Sequence, residues 1–314
     1  MTDLLSVFDV LIDAVVPVAC IFGIGYLSGI FRVFDKQQAL TILKFVGMFG
    51  VPSISASILI TTDVTAMDFD LSLSYLAVEV AVYLFAAAIA RVVFAVGIAE
   101  ALIIGMACSF SNHVLFIYPI SQFLFDETLL QPIKTIIATD VIVLTLSIIV
   151  LDFITSSRRT LSAHIVKQIT NPALVGFAIG LGLIMIPGGV PISLERTSLF
   201  IAQSAAPTAL FVSGILLSQK SDTRNFQLAS VITVMKVGVF PLIALMLIVW
   251  GRGYDLDTAK TTMLVAVAPV GLMALTFAPR YNVETGPIAI AMLWSMIISI
   301  CLIPIIVNIT LTVS

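Results

Sequence analysis

Long, uninterrupted apolar runs dominate this sequence and limit what it can fold into. Ten such runs can be traced between polar or Gly/Pro-rich breaks. Crossing the hydrocarbon core of a bilayer takes an α-helix of about 20 residues, and each run is long enough. The sequence therefore predicts an all-α integral membrane protein with ten transmembrane helices. These predicted spans one to ten cover 8–31, 38–60, 72–96, 98–125, 132–155, 170–189, 197–219, 226–250, 258–279 and 284–312.

The scarcity of charge excludes several function classes. Charged residues make up 11% of the 314 residues and hydrophobic residues 60%, whereas soluble domains carry roughly 25% charged residues. This excludes a soluble enzyme, and the net charge of −3 argues against nucleic-acid binding. A membrane enzyme or sensor is a weak alternative, because no zinc motif, Ser-His-Asp set or phosphate loop is found and no room remains for a soluble domain. We expect no enzymatic activity, no metal site and no cofactor.

The basic residues predict how the chain is oriented. Of the 15 Lys and Arg residues, ten lie in odd-numbered connections or the adjoining parts of spans, and four lie in or beside even-numbered connections. The positive-inside rule then places the odd connections in the cytoplasm and both termini outside it. We expect a multi-pass protein of the cell inner membrane.

An internal repeat is visible when the sequence is shifted by 155 residues. Pro17, Gly25 and Pro52 then fall on Pro172, Gly180 and Pro207. The repeats would cover 1–160 and 161–314. Because five spans per half is an odd number, the second half would be inverted, as in many secondary transporters. Channels and membrane enzymes can also be duplicated, so the repeat alone does not prove a carrier.

Spans four and nine carry breaking signals at membrane depth. Span four holds the polar cluster 109–113 and then Pro119, and span nine holds Pro269 and Gly271. Proline removes a helical hydrogen bond, so both spans are predicted to be discontinuous, with half-helix N-termini that can bind an anion. A proline-kinked helix tied to its neighbours by polar groups is the alternative. The sequence leaves open whether span nine breaks at Pro269 and Gly271 or nearer Ala274.

Ionisable residues inside spans are costly and mark candidate functional groups. Asp140 in span five and His113 in span four are the candidates for proton coupling. Asp140 is equally suited to ligating a cation, orienting a substrate or tying helices together. Glu79 and Lys236 are expected to pair across the two halves as a structural tie.

Short motifs spread over the chain resemble those of the auxin efflux carrier family, namely the bacterial members related to the PIN-type auxin carriers. Span four reads SNHVLFIYPI, and the second half contains an Asn-Pro pair. Further matching segments are FVGMFGVP at 45–52, AAPTALFVSG at 205–214, Pro269-x-Gly271 and FAPRYNV at 277–283. Two positions depart from the family pattern: His113 replaces Thr or Ser, and Ala274 replaces a proline.

The resemblance implies two inverted five-helix repeats with crossing helices four and nine, an architecture like that of the bile-acid symporters, and an elevator-type movement. Helices 1, 2, 6 and 7 would form a scaffold and helices 3, 4, 5, 8, 9 and 10 a transport domain, with a homodimer formed through the scaffold. The resemblance implies Asn112, Pro119, Pro269, Gly271, Val51 and Ser55 as substrate-binding residues, and the ionisable residues His113 and Asp140 complete the predicted site.

The function expected from these features is secondary active or facilitated transport of a small organic anion. Malonate, malate or an auxin-like acid would be typical substrates, with H+ as the first candidate coupling ion. A sodium-coupled organic anion symporter is the alternative. Neither the substrate nor the direction of flux follows from the sequence.

Overall fold

The computed structural model describes residues 16–61, 67–155, 172–187, 189–219 and 226–312, and these residues are almost entirely helical. Within these ranges there is no β-strand, although an isolated β-bridge joins Ser111 and Val270. The helices are α1 (Val16–Ile30), α2 (Lys36–Thr61), α3 (Phe69–Val93), α4 (Ile98–Ser109), α5 (His113–Leu124), α6 (Gln131–Thr155), α7 (Pro172–Ile184), α8 (Ile192–Ser218), α9 (Phe226–Gly251), α10 (Leu256–Ala266), α11 (Leu272–Phe277) and α12 (Gly286–Thr312).

Six helices are long and apolar enough to cross a membrane: α2, α3, α6, α8, α9 and α12. Shorter apolar helices occupy the predicted spans one, four and six. The chain is thus an all-α, multi-pass membrane protein, while the number of ten spans stays a prediction. The predicted repeat boundary at 160 and both chain termini lie outside the described residues, and so does Asn171 of the Asn-Pro motif.

Aspartate side chains fix where several helices begin. The Asp35 side chain accepts a hydrogen bond from the Gln38 backbone amide at 2.8 Å, and the Asp35 backbone amide donates to the Gln38 side-chain oxygen at 2.9 Å. These two bonds form a capping box at the start of α2. Asp68 caps α3 by accepting from the Leu71 amide at 2.9 Å. Asp255 caps α10 by accepting from the Thr258 amide at 2.8 Å. Polar breaks therefore end one span and start the next.

The chain forms two compact units, and each draws on both predicted repeats. The first unit comprises 1–17, 68–136 and 220–314, and the second comprises 18–67 and 137–219. Helix α6 contributes its first turns, up to Ile136, to the first unit and the remainder to the second.

Glycines allow helix backbones to approach closely in the second unit. A Cβ built on Gly25 of α1 would lie 2.0 Å from the Phe211 carbonyl oxygen of α8. One built on Gly176 of α7 would lie 2.3 Å from the Pro52 carbonyl oxygen of α2. Small residues at helix interfaces are the usual means of packing in lipid, where the hydrophobic effect does not drive helices together.

Replacing Gly214 with alanine is expected to destabilise the second unit. Its Cβ would lie 2.1 Å from the Phe22 carbonyl oxygen, so α1 and α8 must separate. Overpacking of this kind costs about 1–3 kcal/mol, and thermal unfolding in detergent would report it. Gly23→Ala is the matched control on α1, because a Cβ there meets nothing within 4 Å. Equal unfolding temperatures for the two variants would contradict this packing.

Candidate functional site

Both predicted breaks are present in the first unit. Span four is interrupted at 110–112 between α4 and α5, and span nine at 267–271 between α10 and α11. The second break contains Pro269 and Gly271, whereas Ala274 is buried inside α11. The uncertainty left by the sequence is therefore resolved in favour of Pro269 and Gly271.

Pro119 does not form the break in span four, contrary to its assumed part in the interruption. It lies near the start of the α-helical segment Tyr118–Leu124, seven or more residues beyond the interruption. A π-helical turn, His113–Ile117, precedes it. A proline near the start of a helical segment has fewer hydrogen bonds to disrupt. The polar residues before it, and not the proline, coincide with the loss of helix.

The two interruptions pair with each other through their backbones. The Asn112 amide donates to the Pro269 carbonyl at 3.0 Å, and the Gly271 amide donates to the Phe110 carbonyl at 2.9 Å. Between these bonds, Ser111 lies opposite Val270 in an antiparallel bridge. Backbone groups at membrane depth need such partners because lipid offers none.

Gly271 is required by this close pairing. A Cβ at this position would lie 3.0 Å from the Phe110 carbonyl oxygen and 3.3 Å from that of Ser111. Its backbone is in an ordinary extended conformation, with φ −69° and ψ 145°. Space, and not backbone strain, therefore explains the glycine.

Side chains satisfy the backbone around the second break. The Val265 carbonyl accepts from the Ser111 hydroxyl at 2.9 Å. The Val267 carbonyl accepts from the Ser299 hydroxyl at 2.7 Å, and the Val270 amide donates to the Ser295 hydroxyl at 3.0 Å. Helix α12 thus supplies two of the groups that make a broken span tolerable in a membrane.

The paired interruptions, 110–112 and 267–271, are called the crossing here, and a buried lysine lies beside them. The Lys236 ammonium, on the fully buried side chain, donates to the Ser111 hydroxyl at 2.9 Å and to the Ala266 carbonyl at 3.2 Å. It also lies 4.3 Å from the centre of the Phe240 ring. Cations are stabilised at helix C-termini, and Ala266 is the last residue of α10. The crossing therefore holds its own positive group.

Ser111 is the centre of this polar network. Its hydroxyl lies 2.9 Å from the Tyr75 hydroxyl of α3, in addition to its bonds with Val265 and Lys236. One hydroxyl can donate once and accept twice, so the Ser111 hydroxyl is saturated. Glu79 is fully buried one helical turn after Tyr75. Its expected pairing with Lys236 stays a prediction.

Asn112 differs from these satisfied groups. Asn112 is only 8% exposed, yet within the described part of the chain its side-chain amide has no hydrogen-bond partner. It precedes α5, where the Phe116 and Ile117 amides both bond to the Asn112 carbonyl. The backbone amides of residues 113–115 have no acceptor within the helix, and they give its N-terminus partial positive charge.

His113 is also buried at the crossing, at 6% exposed. Its Nδ1 lies 2.8 Å from the Ser111 carbonyl oxygen. Asn112, His113, Pro269 and Gly271 are thus brought together, with Pro119 further along α5.

Three of the predicted site residues belong to the second unit. Asp140 is 6% exposed on α6, and Val51 is partly buried on α2. The Ser55 hydroxyl donates to the Val51 carbonyl of its own helix at 3.0 Å.

Sequence reasoning did not include Lys236, Ser111 or Tyr75 among the site residues. Lys236 carries a usable signal, since a charge inside a span is costly, but the sequence alone favours a structural tie for it. Among the described residues, no group of three His, Cys, Asp or Glu side chains is placed to hold a metal ion.

Comparison with known families supports the motif-based resemblance. Residues 155–307, just under half of the chain, match the sequence model of a family described as membrane transport protein. A comparison with curated proteins gave no significant match. A transporter family is consistent with the expectation that the chain is not an enzyme. The apolar helices and the paired broken spans agree with this match, so residues 155–307 of the chain are similar to a family of membrane transport proteins.

Proposed function

We propose that this protein is a secondary carrier of a small organic anion, with a mono- or dicarboxylate such as malonate or malate, or an auxin-like acid, as substrate. The observation that carries the proposal is the Asn112 side-chain amide beside the N-terminus of α5, which has no hydrogen-bond partner among the described residues. Amide N–H groups and a helix N-terminus together suit a carboxylate. Among the residues that the structure describes, the other polar groups named at the crossing have partners, so we assign the Asn112 side chain to the ligand.

Lys236 supports an anion over a cation as the ligand at the crossing. Its ammonium lies against the end of α10, where a bound Na+ would otherwise find carbonyl oxygens. Two positive charges close together in a low-dielectric site repel strongly. This disfavours the sodium-coupled alternative and leaves H+ as the preferred coupling ion, with Asp140 and His113 as candidate carriers of the proton.

Two compact units are compatible with an elevator-type movement. Helices α2, α7 and α8 and nearly all of α1 lie in the second unit, and these are the helices of the proposed scaffold. The crossing helices lie entirely in the first unit, the proposed transport domain. Helix α6, which is span five of the proposed transport domain, lies in the first unit only up to Ile136, and the rest of it lies in the second. Inner-membrane location, extracytoplasmic termini and a homodimer through the scaffold remain parts of the proposal.

Purified protein in proteoliposomes is expected to exchange labelled malonate, malate or indole acetate for the same unlabelled acid. Counterflow should persist when Na+ is replaced by choline and should respond to a pH gradient. Absence of counterflow for every carboxylate would refute the anion-carrier proposal. Strict Na+ dependence would instead establish the symporter alternative.

Asp140→Asn tests the coupling assignment separately. If Asp140 carries the coupled proton, the variant should retain counterflow but lose its response to the pH gradient, because the amide cannot titrate. His113→Asn is the parallel variant for the second candidate. Full pH response in both variants would remove both residues from the coupling role.

A further inference from the structure

A second polar site lies away from the crossing, at one end of the first unit. A cavity of about 430 Å³, here called the Arg252 pocket, is lined by Asp70, Gly251, Arg252, Gly253 and Tyr254. It forms where α3 begins and α9 ends, and both are candidate membrane spans. The pocket therefore lies at the boundary between hydrocarbon and water.

Exposed aromatic residues flank the pocket in sequence. Trp250 is 71% exposed and Phe69 is 48% exposed. Aromatic side chains are enriched at the level of the lipid head groups. Their positions beside Gly251 and Asp70 support placing the pocket at head-group depth.

The pocket presents both signs of charge to its surroundings. The Arg252 guanidinium donates through Nη2 to Asp70, and both side chains are accessible. Within the described residues no other Arg252 N–H has a side-chain partner. A guanidinium has five N–H donors, so most of them remain available to an anionic oxygen.

The Tyr254 hydroxyl connects Asp70, which lines the pocket, to Asp68 beside it. The Tyr254 hydroxyl lies 3.1 Å from Asp70 Oδ2 and 3.4 Å from Asp68 Oδ1. Desolvation, followed by the hydrogen bond to Asp70, raises the pKa of Tyr254 to about 12. The hydroxyl therefore stays protonated and donates to the carboxylates, which keeps them oriented.

The backbone holds Arg252 in a fixed position. The amides of Arg252, Gly253 and Tyr254 donate to carbonyls of α9 at 2.8, 3.1 and 3.2 Å. Gly253 has a φ of +75°, a conformation that favours glycine. A helix end closed in this way fixes the backbone of Arg252, and the hydrogen bond to Asp70 orients its guanidinium.

We propose that the Arg252 pocket binds the phosphoethanolamine head group of a membrane lipid. The phosphate would accept from the Arg252 guanidinium, and the primary ammonium would donate to the Asp70 carboxylate. A purely anionic head group would meet the Asp70 carboxylate, with Asp68 close behind it, and a phosphocholine group has no N–H to donate. The adjacent opposite charges therefore favour this zwitterion, and this site is independent of the proposed transport function.

The test uses purified full-length protein in nanodiscs of phosphatidylcholine doped with phosphatidylethanolamine. Native mass spectrometry should find phosphatidylethanolamine retained on the protein, with retention decreasing as its nitrogen is methylated step by step. Arg252→Gln should weaken retention about tenfold, the typical loss for one charge-assisted hydrogen bond. Arg91→Gln is the matched control, because Arg91 is exposed near the other end of α3.

Several outcomes would overturn the proposal. Equal retention of phosphatidylcholine by the wild-type protein would do so, and that comparison does not depend on how any variant folds. Unchanged retention by folded Arg252→Gln would do so as well. Binding of soluble glycerophosphoethanolamine without retention of the lipid would reject a lipid as the source of the head group.

Discussion

Asn112→Asp should abolish carboxylate transport while the protein remains folded. The new carboxylate would be placed at the N-terminus of α5, where the first backbone amides and the partial positive charge of the helix stabilise an anion. It would occupy the groups proposed to bind the substrate and repel a second carboxylate. Counterflow of labelled malonate or malate in proteoliposomes measures the loss, and thermal unfolding in detergent measures stability.

Asn112→Ala provides the milder form of the same test. Removing one amide donor to a charged ligand should weaken apparent affinity by about 10- to 100-fold. Gln122→Ala is the control, because Gln122 is an exposed amide on the same helix, α5. Wild-type transport by both Asn112 variants would reject this residue as part of the site. Loss of folding in the alanine variant would show that Asn112 has a structural role instead.

Lys236→Met should cause the largest loss of stability of any substitution considered. Methionine retains the apolar stem but removes the donors to Ser111 and Ala266 and the contact with Phe240. Leaving a buried acceptor without its donor typically costs about 1–3 kcal/mol, and the variant does this to both the Ser111 hydroxyl and the Ala266 carbonyl. Unfolding by denaturant in mixed micelles would give the difference in free energy between the variant and the wild type.

Two further variants separate the charge of Lys236 from its volume. Lys236→Arg keeps the positive charge and should recover part of the stability, while its larger fork limits the recovery. Lys36→Met changes an exposed lysine at the start of α2 and should have little effect. If Lys236→Met unfolded at the same denaturant concentration as Lys36→Met, the ammonium would not be stabilising the crossing.

Features of the fold that depend on local chemistry could be predicted from the sequence. The helices follow from long apolar runs, and the breaks follow from polar residues, proline and glycine at membrane depth. The exception, Pro119, is instructive. A proline breaks a helix only where its missing donor is needed, and a π-helical turn before it changes that requirement.

Contacts between distant segments could not be predicted in the same way. Lys236 and Ser111 are 125 residues apart, and Tyr75 and Ser111 are 36 residues apart. Their meeting depends on how α3, α9 and the two broken spans pack, and a single sequence contains no direct record of such packing. The charge of Lys236 signalled that a partner must exist, but not where it is.

The bridge between Ser111 and Val270 has a consequence for how such a protein can be made. Each half of the chain contributes one extended segment to this bridge. The Phe110 carbonyl of the first half accepts from the second half, and the Pro269 carbonyl of the second half accepts from the first. A half-length polypeptide would therefore expose bare peptide groups to lipid and become a substrate for quality-control proteases. Two separately synthesised halves should accumulate only when produced together in one cell.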